Sequence, residues 1–346
     1  MSPTEIPAEV LQHWQCLSDT SSRRITAGLI NDTYQLTSRD HTKYVLQRLH
    51  PVFKAEVNRD IRAITDHLKW QGMRTPSVMP CDDGALWCEH DGRVWRLLSH
   101  VSGHTVHAVA DANMAYQAGH IAARFHAALG DFEYEYRSGR FNVHDTAAHL
   151  ERLTDALQDQ HDHRHYPSVA RLALRILATT DRFDDIDKLP MRHCHGDLKI
   201  SNIVFDEDNS AICLIDLDTV GQMVWPLEMG DALRSWCNPR TEDKLRADLD
   251  LQILDVAMIG YAAAMPAWLT VTEKENLIAG LARICLELSA RFLTDALRES
   301  YFGWDNKTYA TRGDHNLARG KAMYSLYDDV MKKRAAAEKI VKKHLL

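Results

Sequence analysis

His195-Gly196-Asp197-Leu198-Lys199-Ile200-Ser201-Asn202, with Asp216 fourteen residues beyond Asn202, is the stretch on which the reading of this chain turns. The β-branched and apolar runs 203–205 and 212–215 flank Asp206-Glu-Asp-Asn-Ser210, a cluster of turn formers, and so predict a β-hairpin. Asn202 enters its first strand and Asp216 leaves its second, so antiparallel pairing brings an amide oxygen and a carboxylate to one corner. Hard oxygens of this kind suit magnesium, which is usually held by one or two protein groups together with nucleotide phosphates. Asp197, just ahead of that corner, is placed to orient an acceptor hydroxyl and take its proton. Lys199 is placed to offset charge on phosphoryl oxygens. Phosphoryl transfer asks for positioning and charge stabilisation more than covalent chemistry, and these four side chains supply both. The competing reading is a tight His-Gly-Asp turn followed by ordinary strand-end polar residues. Cys194, next to the loop, reads as a packed strand-end thiol rather than a nucleophile.

On His195-Gly-Asp-Leu-Lys-Ile-Ser-Asn202 and Ile215-Asp-Leu-Asp218 the chain resembles the aminoglycoside phosphotransferase and choline kinase superfamily. Within it the chain looks most like the N-acetylhexosamine 1-kinase branch. The words that carry this are Gly28-Leu-Ile-Asn-Asp-Thr-Tyr34, Tyr44-Val-Leu-Gln-Arg48, Ile215-Asp-Leu-Asp-Thr-Val220, Gly230-Asp-Ala-Leu-Arg234 and His315-Asn-Leu-Ala-Arg319. The resemblance implies an α+β, two-lobed protein-kinase-like fold. Residues 1–100 would form an antiparallel-sheet nucleotide lobe, and residues 101–346 a mostly helical lobe with the catalytic loop and acceptor site. It implies ATP as co-substrate, Mg2+ as cofactor and a small-molecule acceptor. His195 would brace the loop backbone. Asp218 would be a second metal ligand, or a capping acid. The Gly-Asp-x-x-Arg word would brace the catalytic loop or meet the substrate through Arg234, although Asp231 and Arg234 are also spaced for a plain local ion pair. His315 and Arg319 would shape the acceptor pocket, or simply open a polar helix.

Composition is compatible with this. The chain of 346 residues is 45% apolar and 26% charged, as expected of a soluble globular protein large enough for two lobes. A net charge of −7 without a basic arm argues against a nucleic-acid or anionic-membrane surface. The start, Met1-Ser-Pro-Thr-Glu-Ile-Pro, lacks a signal peptide's basic and apolar regions, and no run is long enough for a membrane span. Seven cysteines without a Cys-x-x-Cys pair suggest free thiols in a reducing compartment, and the cytoplasm is the expected location. Oligomeric state is left open.

The first hundred residues read as a small sheet with one helix. Two strands fall within 24–36 around Gly28-Leu-Ile-Asn31, a third at 43–49, and two more at 86–89 and 94–98. The helix spans 54–71, with Val57, Ile61, Ile64 and Leu68 on one face. Two departures from a kinase nucleotide lobe stand out. Gly28 is a lone glycine where several usually allow backbone to approach phosphates, so Asn31 and Thr33 are assigned as substitute polar contacts. In Tyr44-Val-Leu-Gln-Arg48 the usual lysine position holds Gln47, and alternation turns Arg48 to the opposite face. Either Arg48 reaches round, a bulge changes the phase, or Gln47 makes a neutral contact. Asp60, or Glu56 one turn away, is the nearest helix carboxylate to pair with such a cation. Segment 96–103 reads as an interlobe hinge.

Further helices are expected at 111–129, 145–158, 168–179, 241–264, 272–296 and 316–343, with a short one between Pro226 and Pro239. The cluster His161-Asp-His-Arg-His165 and the acidic run 181–187 read as solvated connectors rather than a zinc or a cationic-substrate site. The leading acceptor is an N-acetylhexosamine or related sugar, phosphorylated on its anomeric hydroxyl. The alternatives are an amino alcohol, homoserine or aminoglycoside and, from a different class, a non-catalytic nucleotide-binding regulator.

Overall fold

The computed structural model describes residues 6–25, 30–138, 143–179, 186–240 and 247–346. The chain divides into two compact units: Met1–Ser102 with Glu133–Gly139, and Gly103–Phe132 with Arg140–Leu346.

In the first unit, α1 (Ala8–Leu11) precedes β1 (Thr20–Ile25), β2 (Asp32–Ser38) and β3 (Lys43–Arg48). Then come α2 (Val57–Trp70), β4 (Val78–Met79), β5 (Cys88–His90) and β6 (Arg93–Ser99). The strands form one antiparallel sheet ordered β1-β2-β3-β6-β4, with β5 paired to β6. One sheet face carries Tyr34, Leu36, Leu46, Trp95 and Leu97, which pack with Val10, Trp14 and Leu17 into an apolar cluster. α2 buries the expected stripe of Val57, Ile61, Ile64 and Leu68, and also Asn58, Asp60 and Thr65. Asp60 does not pair with a cation of β3. Its carboxylate accepts from Tyr134 Oη at 2.9 Å, Arg137 N at 2.8 Å and Ser138 N at 2.9 Å, which ties the later segment to this unit.

The second unit is mostly helical. It runs α3 (Ala112–Ala128), α4 (Thr146–Asp159), α5 (Tyr166–Leu177), β7 (Met191–Cys194), β8 (Ile203–Phe205), β9 (Ala211–Leu214) and β10 (Gly221–Val224). α6 (Trp225–Trp236), α7 (Leu251–Ala262), α8 (Val271–Glu275), α9 (Leu277–Arg298) and α10 (Arg312–Leu345) follow. Asp111 and Asp145 cap α3 and α4 by accepting from Met114 N and Ala148 N, which fixes both starts near the expected positions. The helix expected over 272–296 is two helices, because the Asn276 side chain bonds the Thr272 carbonyl and competes with continuation. The pairing of β7 with β10 had no signal in periodicity, since each strand is four residues long.

α6 meets α9 backbone to backbone. A Cβ on Gly280 would lie 2.1 Å from the Pro226 carbonyl oxygen, and one on Gly230 would lie 2.8 Å from the Gly280 carbonyl oxygen. That approach seats α6, every residue of which but Ser235 is buried, deep in the helical unit. No helix among the described residues is long and apolar enough to cross a membrane. Cys16 is exposed, while Cys81, Cys88, Cys194, Cys213, Cys237 and Cys285 are buried free thiols.

Candidate active site

β8 and β9 pair with Ile203 opposite Leu214, and Ile215 N donates to Asn202 O at 2.9 Å. The hairpin therefore presents Asn202 and Asp216 from one end, as the turn-forming 206–210 segment requires. Gly196 turns the chain with φ +81°, and a Cβ there would fall 2.4 Å from the Thr219 carbonyl oxygen. Only glycine meets both conditions. Asp216 is itself left-handed, at φ 65°, an uncommon state for a residue other than glycine and one often found at functional positions.

The polar side chains converge on Asp197. Lys199 Nζ lies 2.6 Å from Asp197 Oδ2 and 4.0 Å from Asp216 Oδ2. Asn202 Nδ2 donates to Asp197 O at 2.8 Å and to Asp197 Oδ2 at 3.0 Å, which leaves its amide oxygen as the acceptor end. Burial works to raise the Asp197 carboxyl. The Lys199 ammonium and its hydrogen bond outweigh this, with Arg234 and His195 assisting, and bring it to about 2. Burial likewise lowers Lys199, but the carboxylates of Asp197 and Asp216 leave it raised and firmly charged. Asp216 is raised by burial and by the nearby carboxylates of Asp218 and Asp197, against the pull of Lys199. Asp218 is 3% exposed, in the turn Leu217–Thr219.

Sequence reasoning missed the anchor of this loop. Glu228, fully buried on α6, accepts from His195 N at 2.8 Å and Gly196 N at 2.9 Å, one oxygen to each. Burial opposes its ionisation, yet His126, His195 and the Gly196 amide lower it overall. The same helix supplies Ser235 Oγ, which accepts from Ile200 N at 3.0 Å, and Trp236 Nε1, which donates to Leu198 O at 2.8 Å. His195 Nε2 donates to Ile215 O at 3.0 Å, and Thr219 Oγ1 to His195 O at 2.9 Å, so His195 ties the loop to the hairpin exit. A glutamate inside the apolar run Trp225-Pro-Leu-Glu-Met229 was the available signal.

Arg234 is 5% exposed and forms an ion pair with Asp231 at 2.8 Å. Burial opposes its charge, but Asp231 and then Asp197 raise it. His315 and Arg319 lie at the start of α10 against the segment that leaves α9. His315 Nδ1 accepts from Asp305 N at 3.1 Å and stacks on Tyr309 at 4.3 Å, and Arg319 Nη1 donates to Gly303 O at 3.0 Å.

In the first unit, Gly28 lies outside the described residues. Asn31 Oδ1 accepts from His50 N at 2.9 Å. Arg48 does not reach round to Gln47: it pairs with Asp32 at 2.6 Å and lies over the Trp95 ring at 5.7 Å, on the apolar face. Gln47 Nε2 donates to Thr33 Oγ1 at 3.2 Å, and Gln47 Oε1 accepts from Arg96 Nη2 at 2.6 Å.

The donor set at the hairpin exit fits a hard divalent cation. Asn202, Asp216 and Asp218 offer oxygen ligands only, and a carboxyl raised by burial and then by its carboxylate neighbours, as Asp216 is, is one whose charge a bound cation supports.

A family model described as a phosphotransferase enzyme family matches residues 21–266. Among solved structures, an aminoglycoside phosphotransferase from Alicyclobacillus acidocaldarius is similar at 17% identity, over 99% of this chain and 97% of that one, with a TM-score of 0.62. A microcompartment-associated aminopropanol kinase is similar at 15% identity, over 95% and 97%, with a TM-score of 0.62. An amicoumacin kinase solved with AMP-PNP and Ca2+ is similar at 14% identity, over 94% and 91%, with a TM-score of 0.63. At these identities the likeness is one of fold, and that fold is kinase-like.

Proposed function

Because this chain belongs to the phosphotransferase enzyme family, we propose that it transfers the γ-phosphoryl group of ATP, with magnesium, to a hydroxyl of a small molecule. The proposed acceptor is the anomeric hydroxyl of an N-acetylhexosamine or related sugar. The carrying observation is the Asp197 carboxylate held between Lys199 Nζ and Asn202 Nδ2, at 2.6 Å and 3.0 Å.

Asp197 orients the acceptor hydroxyl. The acceptor oxygen bonds to the γ-phosphorus as the bridging bond to ADP breaks, and the hydroxyl proton passes to Asp197. A carboxyl at about 2 is a weak base, which suits a loose transition state in which the proton leaves late. A phosphoryl oxygen that draws Lys199 away from Asp197 restores basicity there at the moment of transfer. Asn202, Asp216 and Asp218 are the residues that would hold Mg2+, which when bound supplies positive charge to the β- and γ-phosphoryl oxygens.

The sugar acceptor rests on the likeness of the words at 28–34, 44–48, 215–220, 230–234 and 315–319 to the N-acetylhexosamine 1-kinase branch. Arg234, paired with Asp231 at 2.8 Å, adds no net charge that would choose between a neutral and a cationic acceptor. A second reading, phosphorylation of an amino alcohol, draws on the aminopropanol and ethanolamine kinases among the similar structures. The deciding experiment is magnesium-dependent ATP consumption across neutral sugars and amino alcohols, with phosphorus NMR of the product. An anomeric sugar phosphate is expected. Phosphate on an amine-bearing alcohol overturns the acceptor assignment, and ATP binding without turnover on any acceptor points to the regulator instead.

A further inference from the structure

Strand register sets Thr33 of β2 opposite Gln47 of β3, and Gln47 opposite Arg96 of β6. Directly opposed residues share a sheet face, here the face away from the cluster of Tyr34, Leu46 and Leu97. The three side chains form a polar ladder. Gln47 Oε1 accepts from Arg96 Nε at 2.9 Å and Nη2 at 2.6 Å, and Gln47 Nε2 donates to Thr33 Oγ1 at 3.2 Å. Arg96 Nη1 reaches Asn58 Oδ1 of α2 at 3.4 Å. Arg96 is 1% exposed, whereas Gln47 and Thr33 are half-buried.

Taking a guanidinium out of water carries a penalty of several kcal/mol, and the neighbours Leu97 and Leu98 show that β6 holds aliphatic residues readily. The ladder also has a direction. With its carbonyl oxygen taken twice by the guanidinium, Gln47 must turn its NH2 group outward. Thr33 Oγ1 accepts from that group, so its own proton is left to give, and in this structure it is directed to Asn31 O at a long 3.4 Å. The half-buried rim therefore presents donors backed by a fixed positive charge, the pattern that the oxygens of a polyphosphate accept.

We infer that Arg96 supplies, from β6, the positive charge that kinase folds usually place on a β3 lysine, and that it orients Gln47 and Thr33 as the donors that meet the nucleotide phosphates. Arg96 is a positioning residue in this scheme. On α2, the Asn58 amide meets Arg96, while Asp60 is engaged by the 134–138 segment. The inference rests on the kinase reading above.

Calorimetric titration of the full chain with Mg-ATP and with adenosine, alongside thermal melting, tests it. Gln47→Glu is nearly isosteric and keeps the acceptor that Arg96 bonds, so the fold is retained while the rim loses its donors and gains a negative charge. ATP affinity should fall on the order of tenfold or more, with adenosine affinity little changed, since one charge-assisted bond is worth about that much. Arg96→Gln should act likewise, and Arg96→Gln with Gln47→Lys should recover most of the ATP affinity by returning the charge to β3. Gln47→Glu with unaltered ATP affinity, equal losses for ATP and adenosine, or a double variant no better than Arg96→Gln would each overturn the inference while the kinase reading stands. Wild-type protein that binds no ATP overturns both.

Discussion

Replacing Glu228 by Gln should separate loop positioning from chemistry. Both carboxylate oxygens are used, on His195 N and Gly196 N, and the side chain is fully buried with His126 Nε2 3.5 Å from Oε1. An amide keeps one acceptor and turns an NH2 group against the other backbone N–H. One charge-assisted bond is weakened and one buried donor is orphaned, together about 3 kcal/mol. For a unit of this size that corresponds to a fall in Tm of roughly 6–12 °C. Asp197 follows Gly196 directly, so a loop displaced by the order of 1 Å should lower kcat on the order of 10²-fold. The assay is scanning calorimetry beside kcat at saturating ATP and acceptor, with Asp197→Asn as the comparison variant that loses kcat by removing the reacting carboxylate itself. Glu228→Gln melting within about 2 °C of wild type, with kcat within about threefold, would refute the reasoning that this carboxylate fixes the loop.

Asp197→Asn should lower turnover by roughly 10²- to 10⁴-fold, the range for loss of a general base, and near-normal turnover removes Asp197 from that role. Asp216→Ala should abolish the magnesium dependence of nucleotide binding in titrations, and an unchanged dependence counts against it as a metal ligand. Gly196→Ala should give a melting shift larger than the about 1–2 kcal/mol of a left-handed alanine, because its Cβ also meets the Thr219 carbonyl oxygen; a shift below that refutes the crowding. Buried Glu287 and His144 lie 2.8 Å apart. Burial opposes both charges, yet His144 brings Glu287 down to about 2 from an ordinary 4.5, and Glu287 raises His144 above 6.5. Glu287 stabilises above pH 4.5 and ceases to as pH falls through about 2, while His144 stabilises below pH 6.5 and ceases to as pH rises through its elevated value. Glu287→Gln should therefore cost about 3–5 kcal/mol, with the gap to wild type in melting profiles widest between pH 4.5 and 6.5; a pH-independent gap contradicts the pairing.

Much of the fold was legible because its elements carry local signals. The stripe of α2, the Asp111 and Asp145 caps and the turn formers at 206–210 each act within a few residues, and the structure places helices and hairpin accordingly. The β7–β10 pairing was not legible, since each strand is four residues long and its partner lies some thirty residues away. At the site, the approach of Asp197, Lys199, Asn202 and Asp216 to one another was readable from spacing alone. Ser235 and Trp236 were not, because they act on the loop's backbone, and backbone partners leave no mark on sequence pattern; Glu228 left only its place inside an apolar run, which names no partner. Arg96 was passed over for a related reason: its meaning comes from cross-strand register with Gln47, and register forms only when strands pair.

The distribution of thiols has a practical outcome for spectroscopy. Burial pushes Cys81 up to about 11 and Cys88 and Cys285 up to about 12, which keeps them from reacting in the folded state. Cys16 is exposed, and burial of its flank raises it as well, so it alkylates slowly near neutral pH and faster as pH climbs. The native chain thus accepts one fluorophore without any substitution. The dye sits in the unit that carries the Thr33–Gln47–Arg96 ladder, two residues from the buried indole of Trp14, where an emission change on adding nucleotide reads out rearrangement of that sheet in real time.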